Sequence, residues 1–241
     1  MTVASSNTNT ALNPNTLANW WAIQGEWVEE PNNRRGGCSG VQRINRDGSM
    51  LYAKKQTGHI YRSFYHPLGR PTVLRERDAL LGAQKAGVTV PQIVYCQAER
   101  SAEGWRALLV TKALEGFQSL EQWYKDAKRQ HYSEALHQQL LKEIALNLAK
   151  LHTARWQHGC LYIKHIFVRI SGEGDACSAE VALLDLEKCR RRLTSKQAAL
   201  HDMLQLRRHS PWDQIDWQDL ISHYQLAMGR NFKALLNTTR H

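Results

Sequence analysis

The 241-residue chain contains no CxxC pair: Cys38, Cys96, Cys160, Cys177 and Cys189 are odd in number and widely spread. That spacing excludes a disulfide framework and a zinc-finger site, and it leaves five reduced cysteines of a cytoplasmic protein as the expectation. No apolar run approaches the roughly 18 residues that a spanning helix needs. The segment from Met1 to Thr16 is Ser/Thr/Asn-rich, without the basic and apolar regions of a secretory signal. It reads as a disordered lead, bounded at residues 1–18. No internal repeat is visible. Acidic residues are under-represented: 22 Asp and Glu face 32 Lys and Arg, a formal charge of +10. Such a balance calls for an anionic partner, whether nucleic acid, a phosphate-bearing ligand or a membrane surface. Without an RNP, KH, zinc-finger or helix-turn-helix signature, a nucleic-acid-binding module ranks third among these. With 42% hydrophobic and 22% charged residues, the composition is that of a globular protein.

Along the chain, residues 19–115 read as strands interrupted by one helix, with order beginning at Trp20-Trp21. Met50 to Lys54 forms one strand. The helix is expected over residues 72–86, with Thr72 as N-cap, Leu74 and Leu81 on one face and Gly87 just past its end. From 116 to 241 the pattern turns helical. Ser119 with Gln122 suggests a capping box, and Leu136, Leu140, Ile144, Leu148 and Leu151 recur at helical spacing after Ser133. A small hairpin, Ile166–Ile170 and Val181–Leu184, is joined by the turn 171–175, and the remainder from Ser195 reads as helix.

Three places carry polar residues where a cleft between the two halves would lie. A lysine at a strand end (Lys54, with Lys55 beside it) and a glutamate early in the next helix (Glu76) are able to pair, leaving an ammonium for phosphate oxygens. Each alone also fits a solvated charge or a residue favouring the helix dipole. The loop at 158–168, with His158 and His165, faces Asp185 at the end of the strand 181–185, an arrangement suited to Mg²⁺ beside a nucleotide. The bland alternative is a hairpin with polar turn residues. Basic residues concentrate between Arg34 and Arg77, where ten oppose Asp47 and Glu76, and again at Lys188, Arg190, Arg191 and Arg192.

The order of a Gly-rich turn, strand lysine, helix glutamate, histidine loop, hairpin and aspartate resembles the bilobal α+β protein-kinase-like fold, with a β-rich N-lobe and a helical C-lobe. The chain is similar in particular to the bacterial lipopolysaccharide kinases, and within them to the acid-inducible InaA-type group. Trp20-Trp21, Gly25 to Asn32, Ser39 to Gln42, Gly69 to Thr72, Trp105 to Thr111, Gln157 to Cys160 and Leu184 to Lys188 carry this likeness over residues 20–225. The resemblance implies ATP and Mg²⁺ as cofactors and a lipid-linked core sugar at the inner-leaflet surface as partner. It makes Lys54 or Lys55 the phosphate-binding lysine, Glu76 its helix partner, Asp185, His165 and Glu187 the metal residues, and Gly36, Gly37 and Gly40 a loosely matching phosphate loop. The departure is at Cys160. Active kinases of this fold read His-x-Asp, and this chain reads His158-Gly159-Cys160. A thiol is a poor replacement for the carboxylate that takes the acceptor's proton, and His158 or Glu187 would have to supply that base. The expectation is an impaired kinase, or a pseudokinase acting in a stress or pH response.

Overall fold

The computed structural model describes residues 16–34, 36–126, 128–172 and 176–236. The expected lead therefore lies outside the described residues up to position 15, but its boundary at 18 is too late. A short helix, α1 (Leu17–Ala22), starts there, capped by Thr16, whose hydroxyl accepts from the Asn19 N–H. Strands β1 (Glu26–Arg34), β2 (Gly37–Arg46) and β3 (Ser49–Thr57) follow, then a separate hairpin, β4 (Ile60–Ser63) and β5 (His66–Pro71). Helix α2 (Thr72–Lys85) comes next, before β6 (Ile93–Ser101) and β7 (Gly104–Lys112). The large sheet is antiparallel in the order β1-β2-β3-β7-β6.

Alternation along β3 sorts its side chains between two environments. Leu51 and Ala53 join Leu17, Trp20, Ile44, Tyr95, Leu108 and Val110 in a small core under α1. Tyr52 and Lys54 point from the other face into the cleft described below. Helix α2 covers that side. Its buried stripe is Val73, Glu76, Leu80 and Ala83, not the expected Leu74 and Leu81, and Leu81 is exposed. Docking against the sheet, and not the start of the helix, sets this face; the helix begins at Thr72 as expected, with Pro71 and not Thr72 in the N-cap position. A residue distant in sequence does the capping, since Gln56 Oε1 accepts from the Val73 N–H at 3.2 Å and from Thr72 Oγ1 at 2.8 Å. Gly87, at φ 77°, follows the helix as expected.

The second half begins at the two-residue β8 (Gln118–Ser119) and α3 (Leu120–Lys125). Ser119 caps α3, but Gln122 turns to Asp126 instead of completing a reciprocal box. Helix α4 (Glu134–Thr153) is capped by Ser133 and buries Leu136, Leu140, Ile144, Leu148 and Leu151, each worth about 1.5–3 kcal/mol in burial. After β9 (Trp156–Gln157) the hairpin forms from β10 (Ile166–Ser171) and β11 (Ser178–Leu183). Positions 173–175 of its turn lie outside the described residues. Strand β12 (Arg190–Arg191) pairs with β9. Among the described residues, the helical remainder is three helices, α5 (Ser195–His209), α6 (Gln214–Met228) and α7 (Lys233–Leu236).

One carboxylate ties this half together. Asp202 of α5 is fully buried and receives His152 Nε2 of α4 at 3.2 Å, His201 Nδ1 at 3.1 Å, and the backbone N–H groups of His158 and Gly159 at 2.5 and 2.9 Å. Burial alone would raise its pKa, but the hydrogen bonds from His152 and His201 outweigh that and hold it below the ordinary carboxylate value. A depressed pKa stabilises the fold fully above the unfolded-state carboxylate range, and that contribution is lost as pH falls through the lowered value. Asp202→Asn is accordingly expected to cost about 3–5 kcal/mol at neutral pH, roughly 6–20 °C in Tm. Calorimetry across pH will show the wild-type and variant Tm curves converging in acid.

Candidate functional site

Lys54 projects from β3 into a cleft of about 820 Å³ between the sheet and the β10–β11 hairpin. Its ammonium lies 2.8 Å from Glu76 Oε2 of α2 and 2.5 Å from Glu187 Oε2, in the 3-10 turn Leu186–Lys188 that follows β11. Burial works against the charge on Lys54, yet the two carboxylates prevail and hold its pKa above the ordinary lysine value. For Glu76 the balance goes the other way: burial raises its pKa in spite of Lys54. Arg75, beside Glu76, donates from Nε to the Glu187 carbonyl at 2.6 Å, so α2 grips the turn by backbone as well as by charge.

Lys55 does not share this site. The next residue of a strand faces the opposite way, and Lys55 Nζ donates to the carbonyls of Trp21 and Ile23 at 2.9 and 2.8 Å, closing the C-terminal end of α1. Burial lowers its pKa there. The three glycines are also elsewhere. Gly36 and Gly37 border a separate hollow with Thr57 and Gly58, and Gly40 is buried in β2, where a Cβ would come within 2.7 Å of the Trp27 ring.

The loop after β9 is held from beneath. Asp202 takes the His158 and Gly159 N–H groups, and Gln205 Oε1 accepts from the Leu161 N–H at 2.9 Å. His158 is fully buried, and its Nε2–H donates to the Leu184 carbonyl at 2.8 Å, joining the loop to the end of β11. Burial lowers its pKa. The side chain braces the loop and does not open into the cleft. Neither Asp202 nor Gln205 was singled out from the sequence. The available signal was a carboxylate on the apolar stripe Ala198, Ala199, Met203 and Leu206 of α5. Gly159 has φ 78°, and a Cβ there would meet the Lys188 carbonyl at 2.8 Å, so the loop and the 186–188 turn touch where no side chain fits.

Above this base, Cys160, His165 and Asp185 converge, with one candidate donor atom from each within 4.8 Å of the others. His165 donates from Nδ1 to the Cys160 carbonyl at 2.7 Å, which turns Nε2 towards Asp185 Oδ2 at 3.3 Å. Asp185 is left-handed, φ 58° and ψ 56°, immediately beyond Leu184 at the hairpin's end. Lys188 Nζ reaches Cys160 Sγ at 3.7 Å. Glu187 stands apart from this group, turned to Lys54. The structure thus brings His165 and Asp185 together as expected, adds Cys160 to them, and assigns Glu187 to the lysine.

No helix among the described residues is long and apolar enough to cross a membrane. The profile of the Lipopolysaccharide kinase (Kdo/WaaP) family matches residues 18–224. Protein InaA of Escherichia coli (strain K12) is 44% identical over 206 residues, covering 85% of this chain and 93% of that protein. A solved structure of WaaP in complex with acyl carrier protein superimposes with a TM-score of 0.67 at 20% identity, covering 85% of this chain and 79% of the other, a likeness of fold. With a kinase-like architecture, a family match over most of its length and a close sequence relative, the chain belongs to the lipopolysaccharide kinase (Kdo/WaaP) family.

Proposed function

We propose that this protein binds ATP in the cleft between its two lobes and acts on or near lipid-linked core sugars, with phosphoryl transfer weakened at Cys160. The observation that carries the nucleotide half is the buried Lys54–Glu76 pair facing Asp185 across the cleft. An ammonium oriented by a carboxylate is prepared to hold phosphate oxygens. Mg²⁺ takes oxygen ligands and is commonly held by one or two carboxylates together with the nucleotide's phosphates. Asp185 fits that need; with Glu187 drawn to Lys54, it is the one carboxylate in the group with Cys160 and His165. When bound, Mg²⁺ neutralises charge on the transferring phosphate. The chain's own residues do the rest: Lys54 binds phosphate, Glu76 fixes its direction, Gln56 fastens the start of the helix that carries Glu76, and Asp202 holds the loop that presents position 160 to the acceptor.

At that position a carboxylate would accept the acceptor hydroxyl's proton. Cys160 instead lies against the Lys188 ammonium. Loss of a general base costs about 10²- to 10⁴-fold in rate, while positioning and charge neutralisation survive. His158 is no replacement, being buried and committed to the Leu184 carbonyl, and Glu187 is engaged by Lys54. The occupation of Lys54 by Glu187 also favours a second reading, a pseudokinase that binds ligand for a stress- or pH-responsive role without phosphotransfer.

The lipid half rests on the β4–β5 hairpin. Phe64, Tyr65 and Leu68 are 95%, 85% and 82% exposed at its tip, beside the exposed Arg62. Aromatic and aliphatic side chains next to a cation suit the boundary of an anionic leaflet.

Three experiments test this function. In thermal-shift titrations, Mg²⁺-ATP will raise the Tm of the wild type, and less so Asp185→Ala, whereas Glu187→Gln, which frees Lys54, will bind ATP more tightly. Cys160→Asp will gain sugar phosphorylation over the wild type, and absence of nucleotide binding in all four proteins would refute the kinase-like reading. On vesicles, the wild type will co-sediment with anionic phosphatidylglycerol and not with phosphatidylcholine. Phe64→Ser/Leu68→Ser will lose that binding while keeping its response to ATP.

A further inference from the structure

The trio at the catalytic loop is chemically unlike an oxygen site. It offers a sulfur, an imidazole nitrogen and a carboxylate, and two of its three donors are softer than Mg²⁺ selects. We infer that Cys160, His165 and Asp185 form a binding site for a borderline-soft divalent transition ion, Zn²⁺ foremost, with a fourth coordination position open to the cleft.

Four observations converge on it. Bonds of about 2.0–2.3 Å at tetrahedral angles place neighbouring donors roughly 3.3–3.6 Å apart. His165 Nε2 and Asp185 Oδ2 are already 3.3 Å apart, and Sγ lies within 4.8 Å of one candidate donor atom of each residue, so closure needs only a small rearrangement of side chains. The imidazole is set in advance, because its Nδ1–H is spent on the Cys160 carbonyl and Nε2 presents a lone pair to the site. That is the outer hydrogen bond by which metal-bound histidines are oriented, and here the accepting carbonyl belongs to another donor residue. The loop beneath is rigid, pinned through Asp202 and Gln205. Finally, Lys188 places an ammonium 3.7 Å from the sulfur, a cation already attracted to the position a metal would take. Coordination forms a metal–sulfur bond and releases the thiol proton to solvent.

Three protein donors with one open position is the pattern of zinc sites that exchange their fourth ligand. A nucleotide phosphate or a sugar hydroxyl is able to enter there. The substitution that removes the kinase base therefore also changes which ion the cleft prefers. This inference does not depend on ATP binding, and its test is run without nucleotide.

Full-length protein, stripped with chelator and reduced, is titrated with Zn²⁺ in competition with a chromophoric chelator. Separate samples are titrated with Co²⁺ and followed by absorption. One Zn²⁺ per chain is expected, and Co²⁺ will give both the visible bands of a four-coordinate ion and a near-ultraviolet sulfur-to-metal charge-transfer band. Cys160→Ser will abolish the charge-transfer band, and it and Asp185→Asn will each weaken Zn²⁺ by more than the roughly 10- to 100-fold that loss of an outer-shell partner costs. Lys188→Ala will bind Zn²⁺ more tightly, because a competing cation is gone; circular dichroism of every variant confirms the fold. Cys160→Asp will shift preference from Zn²⁺ towards Mg²⁺. Absence of stoichiometric Zn²⁺ binding overturns the inference. So does a charge-transfer band that persists in Cys160→Ser, which would place the metal on another cysteine, or displacement of Zn²⁺ by an equal concentration of Mg²⁺. A protein that binds Zn²⁺ without responding to ATP would refute the nucleotide reading and leave this site standing.

Discussion

A single ammonium holds three parts of the molecule in register. Lys54 comes from the sheet, Glu76 from α2 and Glu187 from the turn beyond the hairpin, and the two carboxylates converge on one nitrogen. Burying one positive and two negative charges is costly unless each has a partner at hydrogen-bond distance. Glu76 shows the strain of that balance, with burial outweighing its cation. The surplus negative charge makes the site receptive to a further cation. Arg75 offsets part of this by gripping the Glu187 carbonyl, so the turn is held even when its carboxylate is released.

The loop that carries position 160 depends on a different constraint. Asp202 gathers two histidine side chains and two backbone N–H groups at one buried carboxylate, and Gln205 adds a third backbone contact one helical turn later. None of these contacts involves the side chain at position 160. The scaffold of the loop and the chemistry it presents are therefore separable: the frame is built from backbone groups, Asp202 and Gln205, without the side chain at position 160.

The broad architecture was legible because its signals are local and periodic. The α4 stripe from Leu136 to Leu151, the Ser119 and Ser133 caps and the paired hairpin strands needed no long-range information. What escaped was set by residues distant in sequence. Period-2 alternation shows that Lys54 and Lys55 oppose one another, but only the docking of α1, unmarked in the sequence, decides which face is buried beneath a helix. The start of α2 at Thr72 was legible, but its cap was not, because the capping group is Gln56, from a neighbouring strand. Glu187 reads as a metal residue beside Asp185, and the tight turn that swings it to Lys54 is a backbone event. The glycines from Gly36 to Gly40 look like a phosphate loop in composition, but Gly36 takes φ 76° with open space around it, while Gly37 and Gly40 lie close against Gly58 and the Trp27 ring.

Gln56 has a mechanical consequence. Its one amide spans three elements, donating to Ser39 of β2 while accepting from the first two residues of α2. The N-terminus of α2 is thereby tied to two strands of the sheet. Glu76, one turn further along, moves only as the sheet moves. Lys54 and Glu76 thereby share one frame, and the spacing of ammonium and carboxylate follows the strand–helix junction that Gln56 sets.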